Sequence, residues 1–333
     1  MSMLVYCSGC HTPPPLELPP GATSIRCTVC HAITRISENR SAPPPYLPSS
    51  YNNYYHGQKK AVIIGILYRN TQKKLKGCIN DAKSMKDMLI HSFNFTESSI
   101  LMLTDEETDP SKIPTKHNIM MAMSWLVSGC KLGDSLVFYF TGHGGWQLND
   151  TGDEIDNYDE TLLPLDHETQ GIIVDNDINA RIVRPLPAGV KLHAIIDACH
   201  SGTVLDLPYL CKMERSGSYS WEDHRPPSGA RKGTSGGDAI SFSGCDDDQT
   251  STDTDALSKG TPTGAMTYAF IQAIEKGQGT TYGSILNAMR STIATIDEPG
   301  DAPLTRGSGV RMKQEPQLTC NQIFDVYTKP FSL

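Results

Sequence analysis

The sequence lacks a long apolar run and an excess of positive charge. Over 333 residues, no hydrophobic stretch approaches the roughly 20 residues that a membrane span requires, so we expect no integral membrane protein. Lys and Arg number 29 against 37 Asp and Glu, a net charge of -8, which makes a nucleic-acid-binding protein an unfavoured class. The chain also lacks a phosphate-binding G-x-x-x-x-G-K-[ST] segment, so nothing in it supports a nucleotide enzyme. It lacks a basic-then-apolar secretory start, so we expect a cytoplasmic protein of a size that is also compatible with the nucleus.

Local composition divides the chain into five parts. Four cysteines lie near the amino terminus, a Pro-rich stretch follows, and a gap rich in Gly, Ser, Pro and charge interrupts the remainder. The predicted parts are a zinc-binding module (1–36), a linker (37–58), a large catalytic part (59–208), a processing loop (209–237) and a small part (238–333).

From residue 59 onward, apolar runs alternate with helical patterns. Short β-branched runs predict buried strands, and apolar residues three or four apart predict helices. Strands are predicted at 61–67, 100–103, 135–140, 192–196 and 239–242, and helices at 79–89, 116–129, 264–276 and 282–295. This alternation predicts an α/β fold with a mostly parallel sheet and helices on both faces.

Two predicted strands end in residues suited to nucleophilic catalysis. One runs into Thr141-Gly142-His143-Gly144-Gly145 and the other into Asp197-Ala198-Cys199-His200-Ser201-Gly202. Ligands of open parallel sheets bind at the carboxyl ends of strands, and a thiol needs an adjacent base to become a nucleophile at neutral pH. His143 would be that base, and a Gly144 or Gly145 amide would hold the oxyanion. An isolated pair would more simply be a buried cysteine and histidine, but its placement at two strand ends favours catalysis.

The amino-terminal cysteines form two C-x-x-C pairs separated by 16 residues. This spacing suits a four-thiolate zinc site, with Cys7, Cys10, Cys27 and Cys30 as ligands and structural Zn²⁺ as the cofactor. His11 and His31 each follow a pair and are expected to be bystanders. So short a segment would have little core without metal.

Four blocks together resemble the metacaspases, specifically the plant type I group. They are the two strand-end segments above, Leu75-Lys76-Gly77-Cys78-Ile79-Asn80-Asp81-Ala82, and the run that begins Ile240-Ser241-Phe242-Ser243-Gly244-Cys245. The resemblance implies a caspase-like fold and a calcium-activated, monomeric cysteine endopeptidase that cleaves after Arg or Lys. It also implies that Cys199 is the nucleophile and His143 the general base, with a role in programmed cell death or stress proteolysis.

Two carboxylates are predicted beside the reacting thiol. Asp197 lies two positions before Cys199, and Asp81 opens a helix at the same sheet edge. They would attract a basic substrate side chain and repel an acidic one. Asp81 is equally compatible with a favourable helix first turn. The resemblance adds Cys78 and Thr141 to this substrate pocket.

Many carboxylates are concentrated between residues 150 and 177. Hard oxygen ligands suit Ca²⁺, but the spacing does not match an EF-hand, so the residues alone favour a solvated acidic face. The resemblance implies an activating calcium site at Asp159, Asp175, Asn176 and Asp206. Asn176 replaces a carboxylate of the family pattern, which removes one negative charge.

The 209–237 gap contains several basic residues and is predicted to be an exposed, solvated loop. A protease with basic specificity would cleave such a loop in its own chain, and we predict self-processing at Arg215 or at the Arg231-Lys232 pair.

The zinc-binding module resembles the LSD1-type zinc finger of plant cell-death regulators. The resemblance suggests that it restrains the protease and binds cell-death regulators. Two other interpretations stay open: a quiescent protease-like scaffold that acts through its zinc finger and linker, and a peptidase specific for Asn or Asp, which would need a less acidic pocket.

Overall fold

The structure is a computed structural model of the chain. It describes residues 3–5, 16–18, 24–26, 33–35, 57–69, 71–199, 201–214, 216–226, 228–244, 253–254, 263–296 and 315–333. The chain forms two compact units, residues 1–54 and 55–333. No helix within the described residues has the length and apolar character that crossing a membrane demands.

The described residues of the first unit form four short strands. Strand β1 (Met3–Val5) pairs antiparallel with β2 (Leu16–Leu18), and β3 (Ser24–Arg26) pairs antiparallel with β4 (Ile33–Arg35). Each predicted cysteine pair falls in the segment that connects two paired strands.

The second unit contains thirteen described strands and six described α-helices. The strands are β5 (Lys59–Gly65), β6 (Ile100–Thr104), β7 (Ser135–Thr141), β8 (Gly144–Leu148), β9 (Tyr158–Leu162), β10 (Ile173–Val174), β11 (Lys191–Asp197), β12 (Tyr209–Met213), β13 (Tyr219–Asp223), β14 (Asp238–Ser243), β15 (Asp253–Thr254), β16 (Thr263–Gly264) and β17 (Gln317–Cys320). The helices are α1 (Cys78–Phe93), α2 (Lys116–Val127), α3 (His167–Gln170), α4 (Asp175–Ile178), α5 (Ala265–Glu275) and α6 (Tyr282–Ile296). Short 3₁₀ turns at Glu97–Ser99 and Pro110–Lys112 and a π-helical turn at Asn179–Val183 complete the described elements.

Within the part of the chain that the structure describes, the main sheet has eight strands in the order β13-β12-β17-β14-β11-β7-β5-β6. The pairings from β14 to β6 are all parallel, whereas β17, β12 and β13 are joined through antiparallel pairings. A separate antiparallel sheet in the order β10-β9-β8 follows the carboxyl end of β7. The predicted fold class is confirmed, with a parallel centre and an antiparallel edge.

Alternating side chains of the central strands feed two cores. Ile63, Tyr139 and Ile195 pack with α1, α5 and α6 on one face. Ile64 and Phe140, one position further along their strands, pack with α2 on the other face. Residues of opposite parity in a strand point to opposite faces, so continuous apolar runs are what a sheet covered on both sides requires.

The sequence prediction was wrong in the 209–237 gap. We predicted an exposed loop, but β12 and β13 form a hairpin there that extends the sheet. Polar and charged residues on the exposed face of this hairpin conceal the period-2 pattern that would have indicated its strands.

Candidate active site

The candidate nucleophile and base follow two adjacent parallel strands. Thr141, the last residue of β7, is the register partner of Asp197, the last residue of β11. His143 and Cys199 each lie two residues beyond this pair, and both are half-buried. Parallel pairing therefore brings the two predicted catalytic residues to one sheet edge.

Tyr68 supports the segment that carries His143. Its hydroxyl accepts a hydrogen bond from the His143 amide at 3.1 Å and donates one to the Leu163 carbonyl at 2.5 Å. Its ring lies 4.7 Å from the imidazole of His143. Tyr68 is fully buried and has a left-handed φ of 52°, a strained conformation for a bulky residue that the surrounding contacts must hold in place. Burial raises the pKa of Tyr68 far above its ordinary value, so the hydroxyl keeps its proton.

A backbone contact selects the tautomer of His143. Its Nε2 lies 2.5 Å from the carbonyl oxygen of Lys73. A carbonyl oxygen only accepts, so Nε2 carries the proton, and the lone pair of the neutral imidazole resides on Nδ1. This assignment makes Nδ1 the basic atom.

Gly144 approaches the backbone of Cys199 closely. A Cβ at position 144 would lie 2.0 Å from the carbonyl oxygen of Cys199, so any side chain is excluded there. The Leu163 amide donates to the His143 carbonyl at 3.0 Å, and Gly144 is the register partner of Leu162. Bonded positions alternate in an antiparallel ladder, so the Gly144 N–H is directed away from β9.

The structure brings Asp81 and Asp197 to one buried location. Asp81 accepts hydrogen bonds from the Thr263 hydroxyl and from the Gly264 amide at 2.8 Å, and Asp197 accepts from the Thr267 amide at 2.9 Å and its hydroxyl at 2.6 Å. A Cβ at Gly264 would lie 2.2 Å from Asp197 Oδ2. The two carboxylates therefore lie on either side of one stretch of backbone.

The other two predicted pocket residues lie at the same edge. Cys78 begins α1 and Thr141 ends β7, and both are buried. Burial, and after it the charges of Asp81 and Asp197, raise the pKa of Tyr139 well above its ordinary range. The carboxylates Asp81 and Asp197 are therefore close enough to Tyr139 to act on its hydroxyl.

A second acidic cluster lies around β9 and α4. It contains the predicted calcium residues Asp159, Asp175, Asn176 and Asp206, together with Asp153, Glu154 and Glu160. Asp153, Glu154 and Asp159 each offer an oxygen within 4.8 Å of the others, an arrangement that could hold a metal ion. Asp175 is fully buried and accepts from the Glu160 amide at 2.8 Å and from the Asn176 amide at 2.6 Å.

Burial and mutual repulsion dominate the electrostatics of this cluster. Burial first, then the hydrogen bond with Glu160 and the charge of that residue, raise the pKa of Asp175 to about 10. Burial also raises the pKa of Glu154 to about 8, against the opposing effect of Lys232. Both pKa values are raised, which indicates that the metal-free cluster disfavours ionisation of all its carboxyl groups at once.

Sequence reasoning did not assign a role to Asp153, Glu154, Glu160 or Tyr68. The first three belong to the acidic run, but no spacing rule separates ligands from solvated neighbours. Tyr68 lies 75 positions from His143, and only the fold brings them together.

The self-processing candidates differ in their exposure to solvent. Arg231 is exposed, as predicted, and its guanidinium donates to the Thr234 carbonyl at 2.6 Å. The prediction of an exposed Lys232 was wrong, because its side chain is only 4% exposed and forms ion pairs with Glu154 and Asp206. Arg215 lies outside the described residues.

The four predicted zinc ligands, Cys7, Cys10, Cys27 and Cys30, also lie outside the described residues. In the sequence, one pair lies between β1 and β2 and the other between β3 and β4.

Comparison with known proteins gives concordant matches for both units. Residues 59–208 match the family "Metacaspase, peptidase C14 domain", and residues 7–33 match "LSD1 zinc finger". The chain is 60% identical to Metacaspase-1 of Arabidopsis thaliana, with 99% of this chain and 96% of that protein covered. It is 50% identical to Metacaspase-2 of the same plant, with both chains fully covered. Among solved structures, protein GSU0716 from Geobacter sulfurreducens is similar in fold, with a TM-score of 0.52 at 20% identity over 83% of this chain and 97% of that one.

Proposed function

This chain belongs to the metacaspases, caspase-like cysteine peptidases of family C14, and on that premise we propose that it is a calcium-dependent endopeptidase that cleaves after Arg and Lys. The observation that carries the proposal is the shared sheet edge. Cys199 and His143 follow the register partners Asp197 and Thr141, and the buried carboxylates Asp81 and Asp197 lie at that edge.

In the proposed reaction, His143 Nδ1 takes the proton of the Cys199 thiol. The thiolate attacks the scissile carbonyl carbon to give a tetrahedral intermediate, and the imidazolium then protonates the departing amine as the C–N bond breaks. His143 next deprotonates a water molecule, which attacks the thioester and releases the carboxylic acid and the Cys199 thiol. Each of these proton transfers uses Nδ1. The contact between Nε2 and the Lys73 carbonyl keeps the imidazole in the tautomer that the reaction needs.

The Gly144 amide is the proposed oxyanion donor. It points away from β9, and its Cα borders the Cys199 backbone, so an oxygen on a carbon bound to Cys199 would lie near it. Loss of one such donor typically costs about 10²–10³ in kcat.

Specificity for Arg and Lys follows from the sign of the charge in the pocket. A guanidinium or ammonium that enters beside Asp81 and Asp197 gains attraction to two opposite charges in a buried environment. An Asp side chain would meet like charges there, which costs several kcal/mol, about 10²-fold or more in rate. A preference for Asn is disfavoured because a neutral amide would leave both carboxylates without a cationic partner.

The second acidic cluster fits Ca²⁺. Its donors are hard oxygens, and the ammonium of Lys232 already lies among them as a cation of this chain. Asp159, Asp175, Asn176 and Asp206 would hold the ion, with Asp153 and Glu154 close enough to contribute. Bound calcium would supply positive charge that offsets repulsion among the carboxylates and fixes the segments that carry them.

Self-processing follows from the basic specificity. The Arg231–Lys232 bond is the described candidate, and cleavage there requires that Lys232 leave its buried position. The bond after Arg215 is the alternative.

The LSD1 zinc finger provides a second functional unit. We infer that it binds one structural Zn²⁺ through its four cysteines, interacts with cell-death regulators and restrains the peptidase. A monomeric protease in the cytoplasm and nucleus, active in cell death or stress proteolysis, is the biological setting that we infer.

Hydrolysis of matched fluorogenic peptides ending in Arg, Lys, Asn or Asp tests the proposal. We expect calcium-dependent cleavage of the Arg and Lys peptides by the wild-type protein and none by Cys199→Ala or His143→Ala. A wild-type protein without activity on any peptide would support the scaffold alternative instead.

A further inference from the structure

The side chain of Lys232 lies inside the second acidic cluster. It is 4% exposed, and its Nζ lies 2.6 Å from Glu154 Oε1 and pairs with Asp206 Oδ1, while the side chains of Glu154 and Asp206 are 10% and 2% exposed. Lysine is almost never buried to this extent unless its charge is paired, so the carboxylates are the reason for its position.

One ammonium offsets only part of the charge of this cluster. Asp159 and Glu160 are also buried there. A divalent ion brings two charges and accepts six to eight oxygen ligands, whereas an ammonium brings one charge and three donors. Exchange of the Lys232 ammonium for a divalent ion would therefore offset more of the negative charge of the cluster.

Occupation by the two cations is mutually exclusive at Asp206. Its carboxylate is bound to Lys232 and is also one of the proposed calcium ligands. An ammonium beside a calcium ion on the same carboxylate would face strong repulsion between like charges at short distance. We propose that Lys232 is a built-in competitor of Ca²⁺, whose ammonium must leave the cluster when the ion binds. This inference rests on the proposed calcium dependence and names the residue that couples it to processing.

Release of Lys232 would free only one part of its segment. Downstream, the Thr234 hydroxyl donates to the Gly237 carbonyl at 2.6 Å, the Ser235 hydroxyl donates to the Arg184 carbonyl at 2.6 Å, and Asn321 donates to Gly237 at 3.0 Å. Upstream, Ser228, Gly229 and Arg231 are exposed. Lys232 is thus the buried anchor at the boundary of these two parts.

The consequence is control over which bond is presented for cleavage. With Lys232 in the cluster, the Arg231–Lys232 bond is held at the protein surface by a buried neighbour. When Ca²⁺ takes the cluster, that anchor is lost and the bond gains the freedom to enter an active site. Calcium would thereby activate the enzyme and expose its processing site in one step.

Calcium titration by calorimetry tests the competition without relying on activity. All proteins carry Cys199→Ala, so that self-cleavage does not alter the sample. We expect Lys232→Met to bind calcium at least about tenfold more tightly than the parent, because the competing cation is gone. Lys212→Met, which removes a lysine from a surface ion pair with Glu222, should leave the affinity unchanged. Equal affinity in the Lys232→Met and parent proteins would overturn the inference.

Hydrogen exchange provides a test that leaves Lys232 in place and so does not depend on the folding of a variant. In the Cys199→Ala protein, calcium should increase amide exchange across 228–233 and leave 234–237 unchanged. Unchanged or slower exchange across 228–233 on calcium binding would contradict the inference. If wild-type protein nevertheless shows calcium-dependent peptidase activity, the proposed function stands and only the role of Lys232 fails. Absence of calcium binding would overturn both.

Discussion

The ring of Tyr68 lies 4.7 Å from the imidazole of His143, and its hydroxyl accepts the amide hydrogen of the same residue. One side chain thus contacts both the ring and the backbone of the proposed base. The same hydroxyl donates to the Leu163 carbonyl, so it ties the His143 segment to the residue that follows β9.

Tyr68→Phe should slow the chemical step. The variant keeps the ring but leaves the His143 amide and the Leu163 carbonyl without this partner, which costs about 1–3 kcal/mol of stability. We expect kcat to fall about tenfold with little change in KM, since the base is displaced and the pocket is not. Steady-state kinetics and thermal unfolding measure both effects.

Tyr282→Phe is the matched control for Tyr68→Phe. It removes another buried hydroxyl, one that contacts His193 Nε2 at 2.7 Å. It should lower the unfolding temperature without a change in kcat. If Tyr68→Phe likewise lowered only the unfolding temperature and left kcat unchanged, the positioning role would be wrong.

Gly144→Ala should abolish peptidase activity while Gly145→Ala retains it. The added methyl at 144 would lie 2.0 Å from the Cys199 carbonyl oxygen, whereas the methyl at 145 would meet Thr161 Oγ1 at 3.3 Å, which needs only a small adjustment. Peptide hydrolysis by both variants, with circular dichroism to confirm folding, measures the difference. An active Gly144→Ala enzyme would show that this backbone approach is not needed for the reaction.

Asp81→Asn should weaken the preference for basic substrates. The amide can occupy the space beside Thr263 and Gly264 but removes one negative charge. We expect kcat/KM for Arg and Lys peptides to fall about 10²-fold, since interactions with a buried charge are worth about 2–5 kcal/mol. Hydrolysis of Arg and Lys peptides by the wild-type and Asp81→Asn proteins provides the measurement.

Asp134→Asn controls for the burial of Asp81. Asp134 is also buried, but it accepts from the Gln58 and Lys131 amides at the amino end of β7, the opposite end of the sheet. Its variant should keep full selectivity for Arg and Lys. Equal losses of kcat/KM in the two variants would indicate a general loss of folding.

The parts of the fold that the sequence predicted best are the strands covered on both faces. Val62, Phe138 and Ile195 lie in continuous apolar runs, and five such strands were located to within two or three residues. Strands β12 and β13 escaped prediction because their exposed faces carry residues such as Lys212 and Glu222, which resemble loop composition.

The candidate site, like the fold, has parts that the sequence predicted and parts that it did not. His143 and Cys199 were recognisable because Gly-rich turns follow buried strands at both positions. The burial of Lys232 was not predictable, since its partners Glu154 and Asp206 are 78 and 26 positions away. Only the tertiary structure distinguishes an ion-paired anchor from an ordinary loop lysine.

The acidic cluster predicts an unusual dependence of stability on pH. In the metal-free folded state the pKa of Asp175 is raised to about 10, against about 4 in an unfolded chain, so folding takes up a proton between these values. The free energy of unfolding should therefore fall as pH rises from 6 to 9, and Asp175→Asn should reduce this slope. Urea unfolding at several pH values, with chelator present, measures it.

Asp177→Asn is the control for the pH experiment. Asp177 lies in the same helix, α4, but is exposed, so its variant should keep the parent slope. Added calcium should also flatten the slope in the parent protein by favouring ionised carboxylates. A slope that does not change in Asp175→Asn would refute the assignment of a buried, protonated carboxyl.

The central claim is that Cys199 attacks peptides whose basic residue occupies the pocket of Asp81 and Asp197. The most direct measurement is covalent labelling with an Arg-terminated peptidyl chloromethyl ketone, with and without calcium, followed by peptide mapping. The account predicts one modified residue, Cys199, labelled rapidly only with calcium and much more slowly by the matched Asp-terminated reagent. Labelling that occurs on another cysteine, or that shows no preference for Arg over Asp, would contradict it.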